Sequence, residues 1–419
     1  MTPGSSHKSA SGRLADPVLW QRLLVGFSLL ALALQIVLVA RGWTFYQYDF
    51  RAYYSGPYLY SIGEDPYSVE AHLTWASSEG LHDHPLAFVY SPLLLRLFSP
   101  LALLPYPVAF GVWLALQVIA LTYICVATVR ALGVPAHWAV PCIAFGLNGT
   151  CAAVLRSGQV TLIMLALLLA SVALLKRNRT QAALLASGMA ATLKIWILPL
   201  LLIAMVPFST RRVLLLIIAI CAVVGLTLSG TLFAPDLQSR YQDIIGGMVQ
   251  FDRTPGSPYN QSILNILSYF AEAGAFSASS LGAVYVTFSL VAVLLTATVC
   301  VPLALANISP SRLYPLMFSI ACLLLLMIVP RAVHYQWTIA LPAASFVLFN
   351  IRSGIPKLVL LCMFMIPPLY INRYVFGIST DDRLESLVLL PWGFWSYLNV
   401  LLLWIAALGI ARRERVAAP

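Results

Sequence analysis

An aspartate stands among four tyrosines in the string Tyr46-Gln-Tyr-Asp-Phe-Arg-Ala-Tyr-Tyr54, just after the first long apolar run. A carboxylate at the mouth of an apolar bundle can serve as a general base once its surroundings tune its hold on the proton. The rings of Tyr46, Tyr48, Tyr53 and Tyr54 suit the faces of a sugar, and they equally suit an interfacial aromatic belt around a solvated Asp49. Lys194 is a different kind of signal. It is the only Lys or Arg that the topology argued below sets deep in an apolar segment. A charge there is costly in lipid and reads as functional, suited to a lipid-borne phosphate; snorkelling or a structural ion pair is the alternative. Arg156, beside Gln159, and Arg331, after Pro330, fall at turns on one side of the membrane. Either could join a phosphate site or simply anchor at the interface. His334 opens an apolar run on the same side and could bind phosphate, polarise a hydroxyl or be structural. His72, His82, Asp83 and His84 do not match a zinc spacing and are expected in a solvated loop. Asp381-Asp382 reads as a surface loop. No Gly-rich nucleotide loop is present, and neither a metal site nor a cofactor is expected.

These residues have to be positioned by membrane helices. Of the 419 residues, 60% are hydrophobic and only 10% charged, whereas soluble domains carry about 25% charged residues. Lipid is the solvent that suits this composition. The net charge of +10 comes from basic residues in short loops, as in cytoplasmic loops, so nucleic acid is not expected as a partner. The seven cysteines all lie in apolar stretches and read as small buried hydrophobes. Apolar runs long enough to span occur near 20–41, 106–130, 136–154, 159–175, 212–233, 278–304, 313–330, 334–350, 356–371 and 388–410, about ten spans in one domain covering 1–419. The tail 1–19 and two hydrophilic stretches, 42–92 and 234–262, lie outside them. The short apolar stretch 93–104 reads as a helix lying in the interface.

The segment 181–207 decides the topology. Read as one kinked span, it leaves Arg211, Arg212, Arg312, Arg352, Lys357, Arg412, Arg413 and Arg415 outside. Read as a re-entrant hairpin broken near Lys194, it brings those eight inside and, of the basic residues that follow it, leaves five outside, Arg240, Arg253, Arg331, Arg373 and Arg383, as the positive-inside rule favours. Irregular backbone at membrane depth is tolerated where it lines a cavity. Both termini are then cytoplasmic. Thirteen of the fifteen acids, with both long polar stretches, share the outward compartment.

The string Asp49-Phe-Arg-Ala-Tyr-Tyr, then Gly63-x-Asp-Pro-Tyr, Tyr90-x-Pro-Leu and Pro100-Leu-Ala-Leu-Leu-Pro resembles glycosyltransferase family 87. Ser157-Gly-Gln159, the stretch from Gly188 through Lys194 to Pro199, and Asn260-Gln-Ser262 follow in the same order. The resemblance spans roughly residues 45 to 345. It implies a GT-C-type, all-α polytopic membrane enzyme acting on the outer face of a bacterial plasma membrane. It implies a polyprenyl-phosphate sugar donor, mannose first, a lipid or glycan acceptor, and Asp49 as catalytic base. Lys194, Arg156 and Arg331 then fall to the donor phosphate. Tyr53, Tyr54, Gln159 and Asn260 fall to substrate, and His334 to the catalytic group, although Tyr335-Gln336 departs from the family pattern there. A donor already activated as a phosphate ester needs only a base and cations that neutralise the leaving phosphate. A transporter or lipid flippase is the competing reading, but it should show paired halves with matching interruptions, and no second Lys-bearing break occurs.

Overall fold

Long apolar runs dictate most of the architecture. The protein is described by a computed structural model covering residues 17–81, 88–206, 209–252, 262–272, 274–352, 354–365 and 382–417, in which the described elements are helical. The first helix, α1 (Pro17–Arg41), leads into three helices of the first polar stretch: α2 (Tyr48–Ser61), α3 (Val69–Ser78) and α4 (Pro92–Ala102). Then come α5 (Tyr106–Arg130), α6 (Ala136–Ser157), α7 (Thr161–Lys176) and α8 (Thr180–Leu193). A 3₁₀ segment, Ile195–Met205, leads to α9 (Thr210–Phe233), α10 (Pro235–Asp252), α11 (Ile263–Glu272), α12 (Leu281–Leu305) and α13 (Pro310–Ile328). A second 3₁₀ segment, His334–Ile339, precedes α14 (Ala340–Asn350), α15 (Ile355–Met365) and α16 (Asp382–Ala417).

Six described helices are long and apolar enough to cross a membrane: Pro17–Arg41, Tyr106–Arg130, Thr210–Phe233, Ala278–Leu305, Pro310–Ile328 and Ser396–Ala417. A seventh expected span is bent by 65° between Ala136–Leu147 and Gly149–Ser157. The run 159–175 forms the shorter apolar helix α7. The run 334–350 is not a continuous α-helix. It begins as 3₁₀, and the Gln336 side chain accepts from Val333 N at 3.1 Å at its start. The run 356–371 is described only to Met365.

Both polar stretches are more ordered than their composition suggests. The segment 234–262 is helical over Pro235–Asp252. The segment 42–92 holds α2, which is buried along most of its length rather than lying on a surface. The stretch 93–104 is largely the helix α4, begun by a proline at its first position, where the ring suits the helix and no amide is lost. His72 is not solvated as expected. It is buried in α3 with Nδ1 2.6 Å from Ser55 Oγ and Nε2 2.8 Å from Pro66 O, a structural histidine pinning α3 to α2. His82, Asp83 and His84 lie outside the described residues. Cys142, Cys151 and Cys322 are buried as expected, Cys125 and Cys300 are half-buried, and Cys221 and Cys362 are exposed.

At Lys194 the chain leaves the helix with extended backbone (φ −148°, ψ 102°). Leu200, Leu201 and Ala204 lie with Ser187 of α8 and Leu175 of α7 around one small cleft. Contacts at the two ends of the bundle fix which loops neighbour each other. At one end Arg240 of α10 pairs with Asp65, after α2, at 2.5 Å, and Ser262 Oγ donates to Pro330 O at 2.7 Å. At the other, Lys176 Nζ donates to Ala131 O at 2.7 Å, Arg212 donates to Val206 O and to the Tyr314 hydroxyl, and Arg312 pairs with Glu414 at 3.2 Å.

Candidate active site

The site is built on the first turn of α2. Asp49 lies there, where the helix dipole favours a negative charge, and is only 6% exposed. The residue before the helix, Gln47, adopts a left-handed conformation (φ 67°), unusual for a residue other than glycine. Its hydrogen bonds over-determine that conformation. Gln47 N donates to Arg156 O at 2.5 Å, and its Nε2 donates to Leu155 O at 2.7 Å and to Gln117 Oε1 at 3.0 Å. Arg51 is fully buried and ties the same turn to Thr44 O at 2.7 Å.

The end of α6 grips this turn from the other side. Gly158 has φ 75°, and a Cβ there would fall 2.7 Å from Phe50 Cβ and 2.8 Å from Gln47 Oε1. Only glycine fits both the backbone and the gap. Trp113 Nε1 donates to Gly158 O at 2.7 Å and Gln117 Nε2 to Gln159 O at 3.2 Å. The turn 157–159 is thereby held between α2 and α5.

Gln159 carries the side-chain contact to the acid. Its Nε2 donates to Asp49 Oδ1 at 2.5 Å, and its Oε1 accepts from the Tyr53 hydroxyl at 2.9 Å. The hydroxyls of Tyr53 and Tyr90 are 2.7 Å apart. Asp49 Oδ2 is buried and makes no hydrogen bond among the described residues. Burial, which disfavours the charged form, is the largest influence on Asp49 and pushes its pKa up to about 7. Lys194, the Gln159 amide, the Ser157 hydroxyl and Arg331 all pull the other way.

Lys194 comes from the break after α8. Its Nζ stands 4.9 Å from the centre of the Tyr335 ring, within cation–π range. Arg331 comes from the turn after α13, and both cations lie near enough for their charge to act on Asp49. Three distant parts of the chain thus place one carboxylate and two cations together.

The other expected site residues divide. Tyr53 packs its ring against Tyr90, Phe98 and Trp113 and reaches the acid only through Gln159. Tyr54 is turned away: its hydroxyl donates to Leu104 O at 2.8 Å and its ring packs against Trp75 and Tyr106. Arg156 is exposed, with its guanidinium on Gln35 Oε1 of α1 at 3.0 and 3.2 Å; its backbone carbonyl, rather than its charge, serves the site. His334 begins the 3₁₀ segment that carries Tyr335, and its side chain lies outside the described residues. Asn260 lies outside them as well. Ser262, in the same motif, donates its hydroxyl to Pro330 O, one residue before Arg331.

Gln47, Gln117 and Tyr335 were not singled out from the sequence as site residues, nor was Tyr90 beyond its place in a motif. Gln117 carried a usable signal, a lone amide in an apolar span. Nothing in the sequence marks Gln47 as left-handed.

The family model described as Glycosyltransferase family 87 matches residues 88–330. No curated protein and no solved structure matches the chain. The matched stretch contains Tyr90, Gln117, Gln159 and Lys194. It begins after Asp49 and ends just before Arg331.

Proposed function

The chain belongs to glycosyltransferase family 87, and on that premise we propose that it moves a mannosyl group from a polyprenyl-phosphate donor to a hydroxyl of a lipid or glycan acceptor. The acceptor oxygen attacks the anomeric carbon as the bond from that carbon to the phosphate oxygen breaks. The acceptor proton passes to Asp49, and polyprenyl phosphate departs. In-line attack on a β-linked donor gives an α-glycoside. Lys194 and Arg331 meet the phosphate as its negative charge grows, the kind of preorganised stabilisation that contributes most to such reactions.

The observation that carries this reading is the meeting of Asp49 with Lys194 and Arg331. A buried carboxylate that holds its proton up to about pH 7 is matched to general-base work at neutral pH. Its Oδ2, without a partner among the described residues, is the oxygen left for an acceptor hydroxyl.

The topology belongs to the same proposal. Thr180–Met205 forms a re-entrant hairpin that enters and leaves on the cytoplasmic side with Lys194 at its tip, and the remaining spans bring the total to about ten. The return of Leu200–Ala204 beside Ser187 supports it. So does the Asp65–Arg240 pair, since a single crossing at 181–207 would separate those two residues by the membrane.

The test is transfer of labelled mannose from a defined polyprenyl-phosphate donor to membrane lipid extract by the purified protein. Asp49→Asn should lose about 10²- to 10⁴-fold in rate while remaining monodisperse. Full activity in that variant would overturn Asp49 as the base, and no transfer by the wild-type chain from this donor would overturn the donor assignment.

A further inference from the structure

The hydrogen bonds around Asp49 have a direction. An ionised carboxylate accepts only, so with Asp49 charged the group 2.5 Å from its Oδ1 is the Gln159 Nε2 donor. That fixes the amide, and Gln159 Oε1 therefore faces Tyr53. An amide oxygen also accepts only, so the single Tyr53 proton is spent on it at 2.9 Å. The Tyr53–Tyr90 contact at 2.7 Å must then be made by the Tyr90 proton. Every donor in Tyr90–Tyr53–Gln159–Asp49 points toward the carboxylate.

The surroundings keep that direction. Tyr53 is fully buried and wedged among Tyr90, Phe98 and Trp113, so its hydroxyl has no other place to go. Gln159 is 1% exposed, and its backbone carbonyl is held by Gln117. Both polar ends of the Gln159 side chain are already occupied, one by Asp49 and one by Tyr53. Chains of hydrogen bonds in a low-dielectric interior polarise one another.

We infer that Tyr90, Tyr53 and Gln159 form a directed hydrogen-bond chain that positions and polarises the Asp49 carboxylate, so that Gln159 and Tyr53 are positioning residues and make no contact with substrate. The inference rests on Asp49 being the base, and it narrows the substrate contacts to Asp49 Oδ2 and the two cations, Lys194 and Arg331.

The experiment reads Asp49 directly and does not need activity. The carbonyl stretch of the protonated carboxyl that disappears in Asp49→Asn is followed by infrared titration of the purified full-length protein. In the wild type its midpoint should fall near pH 7. Gln159→Leu removes the bond to the charged form and should raise the midpoint by about one to two pH units. Tyr53→Phe keeps the ring and should raise it less, and Tyr90→Phe least. An unmoved midpoint in Gln159→Leu, or the reverse order along the chain, overturns the inference. If Gln159→Leu does not fold, Tyr53→Phe against wild type decides alone, with an unmoved midpoint counting against the chain. In the mannosyl-transfer assay Gln159→Leu and Tyr53→Phe should lower kcat with little change in the KM for the polyprenyl-phosphate donor. A raised KM with an unchanged kcat would make them substrate contacts after all. Shifted infrared midpoints with no wild-type transfer would leave the chain standing and remove the proposed reaction.

Discussion

Asp49 is a carboxylate that burial keeps from ionising easily and that two cations keep from staying neutral. The balance has consequences of known sign. A base of pKa about 7 makes transfer rise with pH through neutrality and level off above it. A pH–rate profile with its acid limb near 4, where a solvated aspartate titrates, would show that the site is open to water. Lys194 favours the charged form, so Lys194→Met should move that limb upward. It should also cost about 10²- to 10³-fold in kcat/KM for the donor, as the loss of a charge-stabilising group does. If Lys194 only snorkels, neither the limb nor the donor kinetics will change. Stability follows the same balance with the opposite slope. The folded state holds the Asp49 proton more tightly than the unfolded chain, whose aspartate titrates near 3.8. Between those two values folding is therefore weakened as pH rises. Thermal unfolding of detergent-purified protein at about pH 5 and about pH 8 should show this loss in the wild type and less of it in Asp49→Asn.

The elements that hold Asp49 were unevenly legible. α1, α5, α9, α12 and α13 follow from the length of their apolar runs alone. The break at Lys194 was legible because a cation in an apolar segment demands a reason, and the extended backbone there interrupts the helix at that residue. The burial of α2 was not legible. Its polar composition resembles a surface helix, and it is covered only because α3, α4 and α5 fold over it with Tyr106, Trp113 and Trp75. The placement of Tyr54 was not legible for the same reason: adjacent to Tyr53, its ring points into a different layer, against Trp75 and Tyr106. The charge of Arg156 has a neutral partner, Gln35, that no local pattern announces. Gly158 is the element-scale feature with the clearest cost. Gly158→Ala needs a positive φ and a gap that Phe50 and Gln47 already fill, at roughly 1–3 kcal/mol of stability. Because those neighbours flank Asp49, transfer should fall more than stability accounts for. Gly111→Ala in α5, with nothing within 4 Å of the added carbon, is the control and should behave as wild type. Equal transfer by the two variants would disconnect the 157–159 turn from the site.

At the scale of the whole molecule, the site exists only if stretches far apart in sequence emerge at the same end of the bundle. The first polar stretch supplies Asp49, the break after α8 Lys194 and the turn after α13 Arg331, so one miscounted crossing would send part of the site to the opposite side. The Asp65–Arg240 pair marks one end and the Arg312–Glu414 pair the other. Exposed pairs of this kind add little stability, about 0–1 kcal/mol, so they serve better as markers of sidedness than as struts. In a background freed of the seven native cysteines, single cysteines at 65, 240, 312 and 414 tested in intact cells with a membrane-impermeant thiol reagent should divide two and two. Asp65→Cys and Arg240→Cys should label from outside, while Arg312→Cys and Glu414→Cys should label only after permeabilisation. A kinked single span at 181–207 would instead put 65 and 240 on opposite sides, and with that result Lys194 could no longer be the tip of a cytoplasmic hairpin. Labelling of all four from one side would overturn the membrane arrangement itself. Two-and-two labelling with the sides exchanged would keep the shared site but move it, and the sugar donor it faces, to the cytoplasm.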